Sequence, residues 1–412
     1  MEVSIEREFE RNFQAKFITL PGELEKASSA PYLVSPVISR MGKKAIGLIK
    51  AECDEDVLNV IRLCNRYRIP LVARGNGTST IGQVIPLRES IVIDVNQLNK
   101  EISANDTSIR LSPGVRVKDA LNYLRKRGKE LRVYPSSFYI STIGGYVAGG
   151  DVGIGSYQYG YYFDNHGVLR ATVAGVNGKE ELSGSKVLGI AQAAGANGIV
   201  LSVDLPIIDV EEWRDQILSF DSLHDVVNFL KNAENFREKI RRITIEDFAT
   251  LSIVSGGRVN ELKEWNVIVA SVLDFGREVE LKFLDELAFA AIYVTLSRLT
   301  KFTQYFYEVR LLNLPSFLSV VSQVKKALGN SVLIHGDVMT LRKETVVYTV
   351  FVSERNNFPL IDEIMRKEGI PFEIHSVEVN DRVDEPWRLE LMKSLKKELD
   401  PHDIFNPGKL RI

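Results

Sequence analysis

The residues able to do chemistry in this 412-residue chain fall into two groups. The first is Arg74, Gly75, Asn76, Gly77, Thr78 and Ser79, inside RIPLVARGNGTSTIG (68 to 82). Gly75 and Gly77 let the backbone turn with φ > 0 and expose successive N–H groups, while Thr78, Ser79 and Thr80 add hydroxyl donors and Arg74 a positive charge. Such a loop can hold a phosphate or pyrophosphate; a plain glycine turn between two strands has the same composition. The dinucleotide fingerprint G-x-G-x-x-G needs glycine where Thr80 stands, and no Lys-Ser or Lys-Thr follows at P-loop spacing, so neither of those sites is encoded. The second group is Arg310, His335-Gly336-Asp337, and Glu373 with His375. His335 or His375 is a candidate general base, and Arg310 a candidate bidentate clamp for a carboxylate. The alternatives are a strand-end histidine bonded to its own loop and an arginine paired with Glu308.

These groups must be positioned by regular elements. GLIKA (47 to 51) reads as a strand, and Asp54 caps a helix whose inner face is Val57, Leu58, Ile61 and Leu63. RIPLVA then feeds the glycine loop, and IVIDV (91 to 95) is a further apolar strand. Residues 108 to 128 give a strand, a Pro113-Gly114 turn and an amphipathic helix stopped by Gly128. Tyr134 to Gly160 carries seven glycines, too many for a stable helix over most of its length, and reads as a binding loop. A third loop, Gly195 to Gly198, precedes the strand IVLSVDLPI (199 to 207). After Pro206 the glycine loops stop, which predicts a domain boundary near residue 210. Residues 305 to 379 then read as strand, helix, two strands, helix, strand, the βαββαβ order of a ferredoxin-like unit.

Composition bounds the reading. Hydrophobic residues make up 45% and charged residues 26%, with a formal net charge of -2, so no global basic field points to nucleic acid or anionic lipid. Cys53 and Cys64 form no C-x-x-C, which fits a reducing compartment, and no eighteen-residue apolar run predicts a membrane span. A cytoplasmic protein is the expectation.

PLVARGNGTSTIG resembles the P-R-G-G-G-T-S-x-x-G loop of the vanillyl-alcohol-oxidase and p-cresol-methylhydroxylase (PCMH-type) flavoprotein superfamily, with Asn76 at the middle glycine. YPSS…STIGGYVAGG…GSYQYG is similar to its second segment, GANGIVLSVDLPI to its closing strand, and LDPHDIFNPGKL to the tail of the glycolate-oxidase and D-lactate-dehydrogenase branch. The resemblance implies an α+β fold: a PCMH-type FAD-binding domain (1 to 210) of two α+β subdomains, a ferredoxin-like cap (211 to 385) and a C-terminal segment (386 to 412) that returns to the first domain. It implies FAD, with Arg74 to Ser79 cradling the pyrophosphate. Pro135, Ser136, Ser137, Thr142, Gly144 and Gly145 would run along the diphosphate and flavin, Ile199 and Val200 would hold the adenine side, and Asn406 would reach the flavin. The 74 to 82 loop lacks the His or Cys used for covalent attachment, so noncovalent FAD is expected, with His166 the nearest other candidate. His335-Gly336-Asp337 resembles a fragment of the metal motif H-x-G-D-G-N-x-H, whose second histidine is absent, and no bound metal is expected. The implied activity is oxidation of a small 2-hydroxy acid, glycolate or D-lactate, with electrons passed to an iron-sulfur or quinone partner. The alternatives are a flavin subunit of a larger dehydrogenase and an oxidase of a sugar or aldonolactone.

Overall fold

The computed structural model describes residues 3–30, 45–79, 81–256, 258–278, 305–370 and 377–412. Strands β1 (Phe17–Ile18), β2 (Ala45–Lys50), β3 (Leu71–Arg74) and β4 (Ser90–Asp94) form a sheet in the order β1-β2-β4-β3. β2, β4 and β3 run parallel, and their apolar residues are continuous because a parallel strand is covered on both faces. The helix Asp54–Tyr67 packs on this sheet. Cys53 holds its N-cap position and the Asp56 carboxylate accepts the main-chain N–H groups of Glu52 and Cys53, at 2.9 and 3.3 Å. Its buried stripe is Val57, Val60, Ile61 and Cys64, spaced at helical period, while the expected Leu58 is only partly buried. Each of these side chains contributes about 1.5–3 kcal/mol by leaving water. Arg68, at φ 55°, ends the helix in a left-handed cap.

A second, antiparallel sheet contains β5 (Ile102–Ala104), β6 (Ser108–Leu111), β7 (Lys129–Leu131), β8 (Arg170–Gly175), β9 (Gly178–Ser183) and β10 (Ile199–Asp209). Its order is β5-β6-β10-β8-β9, with β7 pairing with the far end of β10. Between β7 and β8 the glycine-dense stretch forms two short helices, Ile143–Gly149 and Ser156–Tyr159, and is otherwise irregular.

Contacts divide the chain into two units. One is Met1–Asp151 with Phe163–Val210 and Ser376–Ile412; the other is Val152–Tyr162 with Glu211–His375. This division differs from the sequence expectation in two places. The return to the first unit comes earlier because Val379 and Val383 are buried with Ala193, Ala194, Ala196, Met392 and Leu410. The Ser156–Tyr159 turn goes with the second unit because its Tyr157 carbonyl accepts from Thr340 and its Gln158 side chain bonds Arg241.

The second unit is one seven-stranded antiparallel sheet. Its strands are β11 (Arg214–Phe220), β12 (Ile240–Asp247), β13 (Trp265–Ser271), β14 (Arg277–Glu278), β15 (Tyr305–Asn313), β16 (Val332–Leu341) and β17 (Glu344–Glu354). They lie in the order β14-β11-β13-β12-β16-β17-β15. Two split βαβ motifs are visible in that order: β11 and β12 flank β13, and β15 and β16 flank β17, each pair linked by a helix (Leu223–Ala233 and Leu314–Leu328). The motifs join edge to edge through β12 and β16. The single ferredoxin-like unit expected from residue 305 onward is thus the second of two like halves; of its expected last strand, PFEIHSVEV (371 to 379), residues 371 to 376 lie outside the described residues, and Val379 begins the short helix Val379–Arg382. Helices Leu223–Ala233, Leu314–Leu328 and Phe358–Lys367 bury Val226, Leu230, Phe317, Val321, Ile361 and Met365 in one core with Ile245, Val267, Ile334 and Phe351.

Candidate cofactor site and active-site residues

β3 delivers the chain directly into Gly75, as expected, and the loop is tied to the 137–142 segment by side chains. The Asn76 amide donates to the Ile140 carbonyl, Thr78 Oγ1 lies 2.9 Å from Ser141 Oγ, and Ser137 Oγ bonds the same Ser141 hydroxyl. Ser79 Oγ bonds the Gln83 amide, whose nitrogen donates to the Gly149 carbonyl at 2.9 Å. Two glycines are required by close approach, although of the pair expected at φ > 0 only Gly77 takes it. A Cβ on Gly75 would overlap Thr142 Oγ1, and one on Gly77, at φ +66°, would overlap the Arg74 guanidinium. Among the described residues the main-chain N–H groups of Gly75, Asn76 and Gly77 donate to no protein acceptor. Together with the hydroxyls they form a concave donor set suited to a diphosphate. Arg74 itself turns away from the loop's mouth, donating to the carbonyls of Ser29 at 2.7 Å and Ala27 at 3.4 Å.

Thr142 caps the helix Ile143–Gly149 by accepting the Gly145 N–H at 3.3 Å. Gly144 packs on Pro113, where a Cβ would meet Pro113 Cβ at 2.6 Å. Pro135 and Ser136 are half-buried just upstream, before Ser137. At the third loop Ile199 and Val200 pair with Ala174 and Val173 of β8, while β6 joins β10 only from Val203 onward, so the outer edge of Ile199 and Val200 is outside the ladder.

The tail closes the cradle from behind. Leu71 N–H donates to the Ile404 carbonyl and the Asn406 N–H to the Leu71 carbonyl, at 2.7 and 2.8 Å. The Asn406 amide nitrogen donates to the carbonyls of Gln83 and Ala194, at 2.8 and 2.6 Å, while its buried Oδ1 has no partner among the described residues. Lys409 is fully buried with Nζ 2.7 Å from the Gly82 carbonyl, and burial pushes its pKa down to about 7. Sequence reasoning missed Lys409, Ser141 and Gln83 as parts of this site. Lys409 stands in the quoted tail motif, but Ser141 and Gln83 carry no local signal.

Of the candidate catalytic residues, the two that are described, His335 and Arg310, are not brought together. His335 is mid-strand in β16, not at a strand end, paired across the sheet with Glu246. Its Nδ1 lies 3.1 Å from Glu246 Oε1 and its Nε2 3.1 Å from Asp337 Oδ2, and Asp337 also accepts from Thr244. Burial alone would lower its pKa, but the two carboxylates outweigh that and push it up to about 10. Burial likewise pushes the Glu246 carboxyl up. An imidazole held protonated between two carboxylates cannot take a proton from substrate, and its occupied ring nitrogens cannot bind metal. Among the described residues no group of three His, Cys, Asp or Glu could hold a metal ion.

Arg310 lies on the opposite face of the same sheet. Both Arg310 and Gly336 pair with Thr349 and so share a face, whereas His335, one residue away, points to the other. Arg310 Nη2 meets Glu308 Oε2 and Asp362 Oδ1, both at 2.8 Å, and the side chain is 2% exposed. The guanidinium is thus held by two carboxylates, which matches the expected alternative to a substrate clamp, pairing with Glu308. His375 and Glu373 lie outside the described residues. His166 is exposed in a turn at φ 61°, Cys53 is exposed and Cys64 is buried.

Comparison with known proteins bears on this cradle. Residues 45–180 match the family described as FAD binding domain, and residues 377–410 the family described as FAD linked oxidases, C-terminal domain. The glycolate oxidase subunit GlcD of Bacillus subtilis (strain 168) is 23% identical over 226 residues, which make up 50% of this chain and 48% of that protein. The chain thus matches about half the length of that relative. Among solved structures, an alkyldihydroxyacetonephosphate synthase superposes with a TM-score of 0.75 at 17% identity, over 100% of this chain and 86% of that one. A substrate-bound p-cresol methylhydroxylase gives 0.70 at 13% identity, over 99% and 97%. These two likenesses concern the fold, which is of the α+β, PCMH type. FAD fits the residues present: the acceptor-free N–H groups of Gly75 to Gly77 suit its diphosphate, and the buried Asn406 Oδ1 is an acceptor awaiting a donor.

Proposed function

We propose, from the premise that this chain is a member of the FAD-linked oxidase superfamily with FAD as its cofactor, that it oxidises a small 2-hydroxy acid of the glycolate or D-lactate type. The observation that supports a working cofactor site is the run of N–H groups from Gly75 to Gly77 without protein acceptors, closed behind by Thr142 and the tail. Bound FAD supplies the acceptor for the substrate's hydride. The chain's own residues bind and orient. Gly75, Asn76, Gly77, Thr78, Ser79, Ser137 and Thr142 hold the diphosphate, Arg74 fixes the loop from below, Pro135, Ser136, Gly144 and Gly145 line the path beyond it, and the free edge of Ile199 and Val200 receives the adenine. Asn406 accepts a hydrogen bond through Oδ1. A base must remove the substrate's hydroxyl proton, and with His335 held as an imidazolium, His375 is the remaining candidate. Attachment is noncovalent in this reading, so acid precipitation should release all the flavin.

The relative named as a glycolate oxidase subunit favours a second reading, in which the chain is the flavin subunit of a complex and passes electrons to an iron-sulfur or quinone partner. We place the protein in the cytoplasm; no helix among the described residues is long and apolar enough to cross a membrane. The deciding experiment is an anaerobic screen of the FAD-loaded chain with glycolate, D-lactate, L-lactate, a sugar and an aldonolactone, read as loss of flavin absorbance. Bleaching by one 2-hydroxy acid is expected. Bleaching by the lactone alone, or by none of them, overturns the substrate assignment.

A further inference from the structure

We infer that Arg382 is a binding site for the carboxylate of a small organic acid, at the end of the helix Ile143–Gly149 opposite to the Thr142 cap. This rests on the reading above, in which that acid is the substrate. Arg382 belongs to the four-residue helix Val379–Arg382, where the chain has returned to the first unit, and its side chain is 2% exposed. Nε and Nη2 are buried and make no hydrogen bond among the described residues. These two nitrogens form one edge of the guanidinium fork, the edge that receives both oxygens of a carboxylate side-on. A buried guanidinium with that edge empty is costly, and cost of this kind is retained where a ligand relieves it.

The surroundings are arranged to leave the edge available. Asp151, the nearest carboxylate, stops at 3.9 Å from Nη2, beyond hydrogen-bond reach. It is held there by Gln192, whose amide nitrogen donates to Asp151 Oδ1 at 3.0 Å. Gln192 is fixed in turn: its Oε1 accepts from Arg388 Nη2 at 2.9 Å, and its N–H donates to the Val147 carbonyl. Arg388 is itself buried, its guanidinium 4.2 Å from the Phe163 ring centroid. The anchoring through Val147 ties the array to the helix that begins at the cradle. Arg388 has the Glu385 carboxylate 3.7 Å from its Nε, whereas Arg382 has only the restrained Asp151 at 3.9 Å among the described residues, and a diffusible carboxylate would fill its empty edge. Arg382 takes the place that Arg310, tied through Nη2 to Glu308 and Asp362, does not fill.

The test titrates FAD-loaded wild type, Arg382→Lys and Arg382→Met with oxalate, which carries carboxylates but no oxidisable carbinol, and with oxamide, its uncharged diamide. The readout is perturbation of the flavin spectrum together with the melting midpoint. Oxalate should bind the wild type and oxamide should not. Arg382→Lys, which keeps the charge and loses the fork, should weaken oxalate about 10-fold, and Arg382→Met about 100-fold or more, with FAD content unchanged. For an oxidised acid the loss should appear in KM more than in kcat. Oxalate binding by Arg382→Lys at wild-type affinity, or loss of FAD with the oxalate site, overturns the inference. If Arg382→Met does not fold, Arg382→Lys decides alone. Weakened oxalate in Arg382→Lys with no acid turned over by the wild type supports the site and sinks the substrate reading; normal turnover with unchanged KM in Arg382→Lys does the reverse.

Discussion

Gly75→Ala tests the cradle most directly, because the obstacle to a side chain there is a single neighbour. The new methyl would overlap Thr142 Oγ1 and sit 3.2 and 3.3 Å from Thr142 Cβ and Cγ2, with no strain from φ. Forcing a methyl into a packed site costs about 1–3 kcal/mol. If that cost falls on the bound geometry, FAD affinity drops roughly 5- to 150-fold. Thr142→Ala removes the overlapping oxygen and also the cap on Gly145, a loss of about 0.5–2 kcal/mol of helix stability. In the double variant Thr142 Oγ1 and Cγ2 are gone and the Thr142 Cβ stays 3.2 Å from the added methyl. The two costs should therefore fail to add, with a favourable coupling of about 1 kcal/mol or more. FAD titrated into each apo variant and followed by quenching of flavin fluorescence gives the four affinities. Gly22→Ala is the control: it is exposed, outside the cradle, and its Cβ would meet nothing within 4 Å, so FAD binding should change little. Additivity within about 0.5 kcal/mol, or a Gly75→Ala protein that binds FAD like the wild type, refutes the close approach of loop and cap.

Other expectations concern the buried charges. His335 has a folded pKa near 10 against an ordinary 6.5, so its stabilisation is full below pH 6.5 and is lost as pH rises through 10. Relative to His335→Gln, wild type should lose unfolding free energy over that window, by at most about 1.4 kcal/mol per pH unit, in urea titrations at successive pH values. Lys409 behaves oppositely: its folded pKa near 7 lies below the ordinary 10.5, so wild type should gain stability relative to Lys409→Met between pH 7 and 10.5. Arg310→Lys should lower stability by about 1–3 kcal/mol and leave the KM for any hydroxy acid unchanged; a raised KM at normal stability would restore Arg310 as a clamp. Lys396→Met strands the buried Asp400 carboxylate, 2.8 Å from Lys396 Nζ, and should cost about 3–5 kcal/mol by chemical denaturation.

What could be read from the sequence follows the range of the signal. The parallel strands, the glycine loops and the Gly128 stop depend on neighbouring residues, and each stands where the local pattern puts it. On the inner face of the Asp54–Tyr67 helix Val57, Ile61 and Leu63 are buried as expected, while Val60 takes the place given to Leu58, because the two are equally apolar and only packing separates them. The duplicated sheet of the second unit depends on which strands pair, which element order alone does not state; its β12, IRRITIED, is buried along its whole length although Arg241 and Arg242 stand near its start and Glu246 and Asp247 at its end. Whether His335 and Arg310 face one another depends on register, which shifts parity by one residue and leaves no trace in composition. Arg382 lies in VNDRVDEPWR, a charged run indistinguishable from a solvated surface until Asp151 and Gln192 are placed beside it.

The tail's grip on β3 also sets the order of events in synthesis. Gln83 and Asn406 are 323 residues apart, as far as almost any two partners in the chain, yet their bond completes the wall behind the loop. A nascent chain that has already made Arg74 to Ser79 has the glycine loop without the wall behind it until Ile404 to Lys409 emerge. The entropy of closing so long a loop grows only slowly with length, so the delay is one of waiting for the chain rather than of thermodynamic expense. Completion of the wall behind the cofactor loop therefore waits for Ile404 to Lys409.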